Sequence, residues 1–318
     1  AGIVIRMYLP GMQGRSAPVA ALPEFRGWKD ALLVGGGGVE AVVVPSVGRI
    51  MDLRLAGDAA GPFWFLPELS GRAVDPAAGE WPNFGGDKSW PAPQSAWPAR
   101  YPRAWPPPAV FDQTALVPTI LPDGAGVQLE SPVDAASGVK CVRTITPGPH
   151  RGQISVRTTY YKETGPPVEL AVWVITQLQH PELIATPANS GERPWVALSE
   201  NVTGAEVRDG LVLWSRDAAK PQKLGTAARS LVWVGKEQVL RIDLLLDSET
   251  GGLFPDQGCS AEIYTNPDPK TYVELETLGP LVTLQTGDLT AATNVYTLIK
   301  RVAGEDAIRS ARRALGLP

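Results

Sequence analysis

Residues 153–161 read QISVRTTYY, with Ile154, Val156, Thr158 and Tyr160 on one side and Gln153, Ser155, Arg157 and Thr159 on the other. A period of two over this length is the signature of an extended strand whose two faces meet different surroundings. Comparable short runs occur at 39–44, 50–55, 63–66, 127–131, 140–146, 169–179, 211–215, 231–235, 239–246, 261–265, 272–278 and 294–302. Gly, Pro, Asn and Asp punctuate the gaps between them, and no segment between them has a helical period. Roughly a dozen or more such strands joined by turns predict an all-β sandwich or barrel rather than βαβ units. The clear helix signal is the tail at 304–316, where Ile308, Ala311, Arg312 and Leu315 fall at helical spacing, acids open the first turn, and Gly316 and Pro318 stop it. One domain over 1–318 is expected, with 1–38 as an N-terminal extension or first strands.

Charge narrows the function classes. The 29 basic and 33 acidic residues are spread without blocks and give a net charge of −4, so nothing provides the basic footprint that a nucleic-acid backbone requires. No stretch approaches 18 consecutive apolar residues, and no membrane span is expected. No basic and apolar leader opens the chain, so a periplasmic or secreted protein with its targeting segment removed is the expectation, with a cytoplasmic one as the alternative. Cys141 and Cys259 lie 118 residues apart with no CxxC spacing; they could be free thiols or one disulfide, and a zinc site is not expected. The loop NPDP at 266–269 offers hard oxygens for calcium but lacks EF-hand spacing. No metal and no cofactor is expected.

One stretch breaks the pattern. Residues 81–108, WPNFGGDKSWPAPQSAWPARYPRAWPPP, hold four of the ten tryptophans and eight of the 31 prolines. Proline fixes φ and removes backbone donors, so the stretch reads as one long irregular insert. Trp90, Trp97 and Trp105, with Trp81, supply flat apolar faces that suit the C–H faces of sugar rings as well as a core. Asn83, Asp87, Lys88 and Gln94 add the mixture of donors and acceptors that a polyhydroxylated ligand needs. Lys88, held among tryptophans, could bind an acidic group or titrate at a lowered pH.

The segments PSVGRIMDLRLAG (45–57), NFGGDKSWPAPQ (83–94), WPPPAVFD (105–112), AVWVITQ (171–177), FPDQGCSAEIYTN (254–266) and YVELETLGPLVTLQTGD (272–288) resemble a bacterial family within the galactose mutarotase-like, supersandwich superfamily. The resemblance implies a β-supersandwich and a small-molecule carbohydrate as partner. In the aldose epimerases of that superfamily, a histidine on a central strand is the general acid on the ring oxygen, and a glutamate on a late strand is the general base on the anomeric hydroxyl. Glu276 best matches the base, with Glu274 beside it. The alternation in YVELE puts Tyr272, Glu274 and Glu276 on one face, with the two carboxylates about 7 Å apart. Such closeness tends to raise one carboxyl towards neutrality.

The histidines depart from the family pattern. Asn83 and Phe84 stand where a His-Gly-Gly-like segment is expected, and Thr176 and Gln177 stand where the central acid would be. Gln177 can bind a sugar oxygen but cannot supply a proton at neutral pH, so His180, Lys88 or Asp87 would have to substitute. His180 is expected at a sheet rim and His150 in a surface turn. Arg49 and Lys223 are further candidates for anchoring an acidic sugar. Three readings follow: a mutarotase- or epimerase-type isomerase, a carbohydrate-binding protein without turnover, and a glycan lyase or hydrolase.

Overall fold

The alternating strands assemble into two large antiparallel sheets in the computed structural model, which describes residues 18–248 and 252–318. Among those residues one sheet has eleven strands and the other ten. Residues 1–17 of the expected N-terminal extension lie outside the described residues, while Val19–Ala21, Leu32–Gly36 and Val39–Val44 begin the first sheet. The inner faces meet in an apolar core that includes Val34, Leu53, Val127, Ile145, Val156, Leu224, Ile263, Leu275 and Leu298. Burial of such side chains is the main favourable contribution to a sandwich of this kind. Among the described residues no helix is long and apolar enough to cross a membrane.

Five neighbouring strands of the larger sheet carry the polar residues that matter below. In spatial order they are Asp87–Ala92, Val168–Gln179, Tyr272–Leu278, Ala261–Thr265 and Gln222–Thr226. Register fixes which side chains share a face: Ile175 lies opposite both Lys88 and Glu276, Gln177 opposite Glu274, Glu262 opposite Glu276, and Lys223 opposite Tyr264. Because residues directly paired across a ladder point the same way, Lys88, Gln177, Lys223, Glu262, Glu274 and Glu276 all stand on the outer face. Their chain neighbours Asp87, Thr176, Leu224, Ile263 and Leu275 point inward.

The Trp- and Pro-rich stretch is not wholly irregular, which corrects the sequence expectation. Asp87–Ala92 is a strand in the interior of the large sheet, paired with the Val168–Gln179 strand over six residues and with Arg49–Leu55 only at Ile50. Pro91 is tolerated because the Pro91 carbonyl is turned away from the paired strand to accept the Trp97 indole N–H at 2.8 Å. The missing amide hydrogen would have pointed the same way, where no ladder partner waits. Gln94–Ala96 and Trp97–Arg100 then form short helical turns. At the other end, the C-terminal helix Ala307–Ala314 is capped by Asp306, whose side chain accepts the Arg309 amide hydrogen at 2.9 Å. It packs Ile308, Ala311 and Leu315 against Leu183, Leu211, Val232 and Val239 of the smaller sheet.

Candidate functional site

Three carboxylates and two ammonium groups stand together on the outer face of the larger sheet, and they form two unlike groups. In the first, Lys223 Nζ lies 2.6 Å from Glu262 Oε2 and 2.8 Å from Glu276 Oε2. It also sits 4.8 Å above the Trp173 ring, whose indole N–H donates to Glu276 Oε2 at 2.7 Å. Burial alone would pull the Lys223 ammonium down, but Glu276 and Glu262 outweigh it and hold the ammonium above its ordinary range. Burial pushes the Glu262 carboxyl up, against the pull of Lys223. Glu276 is thus engaged by two donors at once.

The second group is less satisfied. Lys88 Nζ is 4.0 Å from Glu274 Oε1, the Lys88 side chain is 1 % exposed, and its ammonium makes no hydrogen bond among the described residues. The faces of Trp90 and Trp81 lie 5.4 Å and 5.8 Å from Nζ. Burial lowers the Lys88 ammonium to about 8, with Glu274 pulling the other way and Arg49 adding to the fall. Burial likewise raises the Glu274 carboxyl to about 7, against Lys88 and reinforced by Glu276. Gln177 Nε2 donates to Glu274 Oε1 at 2.8 Å, while Gln177 Oε1 and Asn83 Oδ1 are buried with no hydrogen-bond partner among the described residues. Tyr272 lies beside them, its phenol pushed up by burial and by Glu274, and Trp64 packs on the Tyr272 ring at 4.6 Å. A side-chain exposure of 11 % at Glu274 and 20 % at Lys223 marks where this face opens.

Asp112 arranges the aromatic wall. Its carboxylate accepts the indole N–H of Trp81 at 2.8 Å and of Trp90 at 3.0 Å, and it neighbours the Arg49 guanidinium at 3.5 Å. Trp81, Trp90 and Trp105 then meet edge to face with centroids 5.0 to 6.0 Å apart. Trp90 also meets Trp173 edge to face at 5.4 Å.

Several sequence candidates are placed elsewhere. Asp87 faces the other sheet, whose Arg143 and Tyr296, with Thr176 of the neighbouring strand, hold its carboxylate; strand alternation turns it away from Lys88. Arg49 is buried and spends its guanidinium on the Val47 and Gly85 carbonyls and on Asp112. Trp97 is fully buried and Trp90 nearly so, leaving Trp105, at 44 % exposure, as the accessible member of the predicted tryptophans. Gln94 is exposed on a short helical turn. His180 sits exposed at the strand end, where its Nδ1 accepts from Arg216 Nε at 3.0 Å; burial and Arg216 lower its imidazolium, and it does not join the Lys88 group. Cys141 and Cys259 are buried free thiols. The structure brings together Lys88, Gln177, Lys223, Glu274 and Glu276 with Asn83.

Glu262, Trp173, Trp64 and Asp112 were not singled out from the sequence, and Tyr272 was only placed on the face of the two glutamates. Glu262 left a usable signal, since a carboxylate stands in the short, largely apolar strand AEIYT, whereas Trp173 is as apolar as its neighbours in AVWVITQ and left none. Asp112 left none, because its partners come from Arg49, Trp81 and Trp90.

Comparison with known proteins bears on the fold. No family model matches the chain, and no curated protein matches it either. Among solved structures, a galactose mutarotase-like protein from Lactobacillus casei superposes with a TM-score of 0.55 at 11 % identity, over 85 % of this chain and 100 % of that one. A candidate aldose 1-epimerase from Escherichia coli K12 gives 0.56 at 10 % identity, over 86 % and 99 %. One from Klebsiella pneumoniae gives 0.55 at 10 % identity, over 94 % and 86 %.

Proposed function

The chain has the galactose mutarotase-like sandwich fold, a carbohydrate-related architecture, and we propose that it is an aldose 1-epimerase-type isomerase that interconverts the anomers of a free sugar. The reading rests on one observation: Lys88 and Glu274 lie 4.0 Å apart on the outer face, brought by burial to about 8 and about 7. Near neutral pH much of Glu274 is a carboxylate and most of Lys88 is an ammonium, the combination that mutarotation requires. Glu274 takes the proton of the anomeric hydroxyl while Lys88 gives one to the ring oxygen, and the bond between that oxygen and the anomeric carbon breaks. Rotation of the freed aldehyde and reversal of both transfers closes the other anomer and restores both groups. Lys88 thereby takes the part of the missing central-strand histidine.

Glu274 fits the base better than Glu276. The Glu276 carboxylate is committed to Lys223 and Trp173, whereas Glu274 accepts from the neutral Gln177 amide and faces, at 4.0 Å, an ammonium that makes no hydrogen bond among the described residues. Asn83 and Gln177, each with an unpaired buried oxygen, are suited to sugar hydroxyls, and Trp105 and Trp64 to the ring face.

Anomeric exchange measured by NMR across neutral aldoses and uronic acids tests the reading. Exchange of at least one sugar should rise above the buffer rate, with an optimum between pH 7 and 8 that follows the two groups. Glu274→Gln should lower it by about a hundredfold or more. No acceleration of any sugar by folded protein, with binding of one retained, would replace the isomerase by a carbohydrate-binding protein.

A further inference from the structure

Lys88 has the setting of a nucleophilic amine as well as that of an acid. Its Nζ is enclosed and faces the rings of Trp81 and Trp90, and among the described residues it forms no hydrogen bond and has one carboxyl group, Glu274, at 4.0 Å. An amine reaches a carbonyl carbon only when its lone pair is free, and apolar enclosure favours the neutral form. Lys223 provides the contrast on the same face. Two carboxylates hold its ammonium at 2.6 Å and 2.8 Å, and both favour the charged form.

We propose that Lys88 forms an imine with small aldehydes and open-chain aldoses, with Glu274 shuttling the protons. The proposal uses the same pair as the isomerase reading but requires no ring opening when the aldehyde is acyclic. Nζ adds its lone pair to the aldehyde carbon, and the carbonyl oxygen takes the proton of the Glu274 carboxylic acid. The new N–H⁺ returns a proton to Glu274, giving a neutral carbinolamine. Glu274 then protonates the carbinolamine hydroxyl, which leaves as water while the nitrogen lone pair closes the C=N bond. One C–N bond forms, the C–O bond breaks, one water is released, and nothing is oxidised or reduced. The amount of neutral Lys88 rises towards its titration at about 8, while Glu274, at about 7, still has a protonated fraction there.

The imine can be trapped. Full-length protein is incubated with glycolaldehyde and cyanoborohydride at pH 7.5, and the modified lysines are located by peptide mass mapping over a time course. The exposed Lys29 and Lys236 serve as controls within the same molecule. The peptide carrying Lys88 should gain the hydroxyethyl adduct about tenfold or more faster than theirs. Glu274→Gln should remove most of that advantage, and Lys88→Arg should abolish the adduct at that position while leaving the controls unchanged. Modification of Lys88 no faster than Lys29 in the wild-type protein overturns the proposal, and that comparison needs no variant to fold. Because glycolaldehyde has no sugar ring, this result stands apart from anomeric exchange: a protein that exchanges anomers without trapping loses only the imine. A protein that traps without exchanging loses only the isomerase.

Discussion

Holding Lys88 and Glu274 charged together out of water should leave a trough in the pH dependence of stability. Burial raises Glu274 from an ordinary 4.5 to about 7. Its stabilising contribution is therefore complete below 4.5 and is lost as pH rises through about 7. Lys88 falls from 10.5 to about 8, so its contribution is complete above 10.5 and is lost as pH falls through about 8. At about 1.4 kcal/mol per pH unit, each excursion is worth about 3 kcal/mol, and the two losses coincide between the two titrations. Urea unfolding at fixed ionic strength from pH 5 to 10, for wild type and for Lys88→Met combined with Glu274→Gln, isolates the pair because the other titrations cancel in the difference. Relative to the variant, wild type should be least stable between pH 7 and 8 and recover towards both ends. A flat difference, or a maximum between pH 7 and 8, would refute the reasoning, since it would mean that mutual attraction outweighs the cost of desolvation.

Removing the Asp112 carboxylate as Asp112→Ala leaves the Arg49 guanidinium and two indole N–H groups without their acceptor. The loss of stability should be about 3–5 kcal/mol, with a shift in tryptophan emission; a loss under about 1 kcal/mol would mean that Arg49 is held by backbone carbonyls alone. Burial pushes the Cys141 and Cys259 thiols up to about 12, so at pH 8 only about one in ten thousand of each is thiolate. A disulfide reagent should label neither in the native protein and both in urea, and rapid native labelling of either would contradict its burial.

The alternating runs carried most of the fold. Gln153–Lys162 and Tyr272–Leu278 form as strands where the pattern placed them, and YVELE correctly put Tyr272, Glu274 and Glu276 on one face. The tail helix was legible from its apolar spacing and terminal glycine, but it runs only from Ala307 to Ala314, so the acids expected in its first turn precede it, with Asp306 as the cap. The Asp87–Ala92 strand was hidden because Pro91 and the flanking tryptophans suppress the usual signal, and only the long-range fact that one side of this strand is unpaired makes proline acceptable. The same register decides that Lys88 faces outward and Asp87 inward, a distinction that composition cannot make. Lys223 was a candidate anchor whose strand left no mark, because KPQKLG has little apolar content, yet Gln222–Thr226 is a strand of the large sheet. The choice between Glu274 and Glu276 was beyond the sequence, since Lys223 and Trp173, the donors that occupy Glu276, come from different strands.

Satisfaction, rather than burial, separates scaffold from site here. Asp87 and Lys88 are consecutive residues, each almost wholly buried, on opposite faces of one strand. Asp87 has Arg143 Nη2 at 2.5 Å, Thr176 Oγ1 at 2.7 Å and the Tyr296 hydroxyl, and Arg143 in turn reaches the Asp87 carbonyl and Thr158. That cluster ties the two sheets together at the strand carrying Lys88. Lys88 has, among the described residues, a carboxylate at 4.0 Å, two indole faces and no hydrogen bond. Arg143→Met should therefore strand the Asp87 charge and cost about 3–5 kcal/mol, whereas Lys88→Met removes an ammonium that its surroundings already disfavour and lets Glu274 protonate, so stability at pH 7 should hold or rise. Chemical unfolding of the two variants decides the matter. Equal losses would mean that Lys88 is a structural ion, and both the proton transfer and the amine chemistry assigned to it would lose their physical basis.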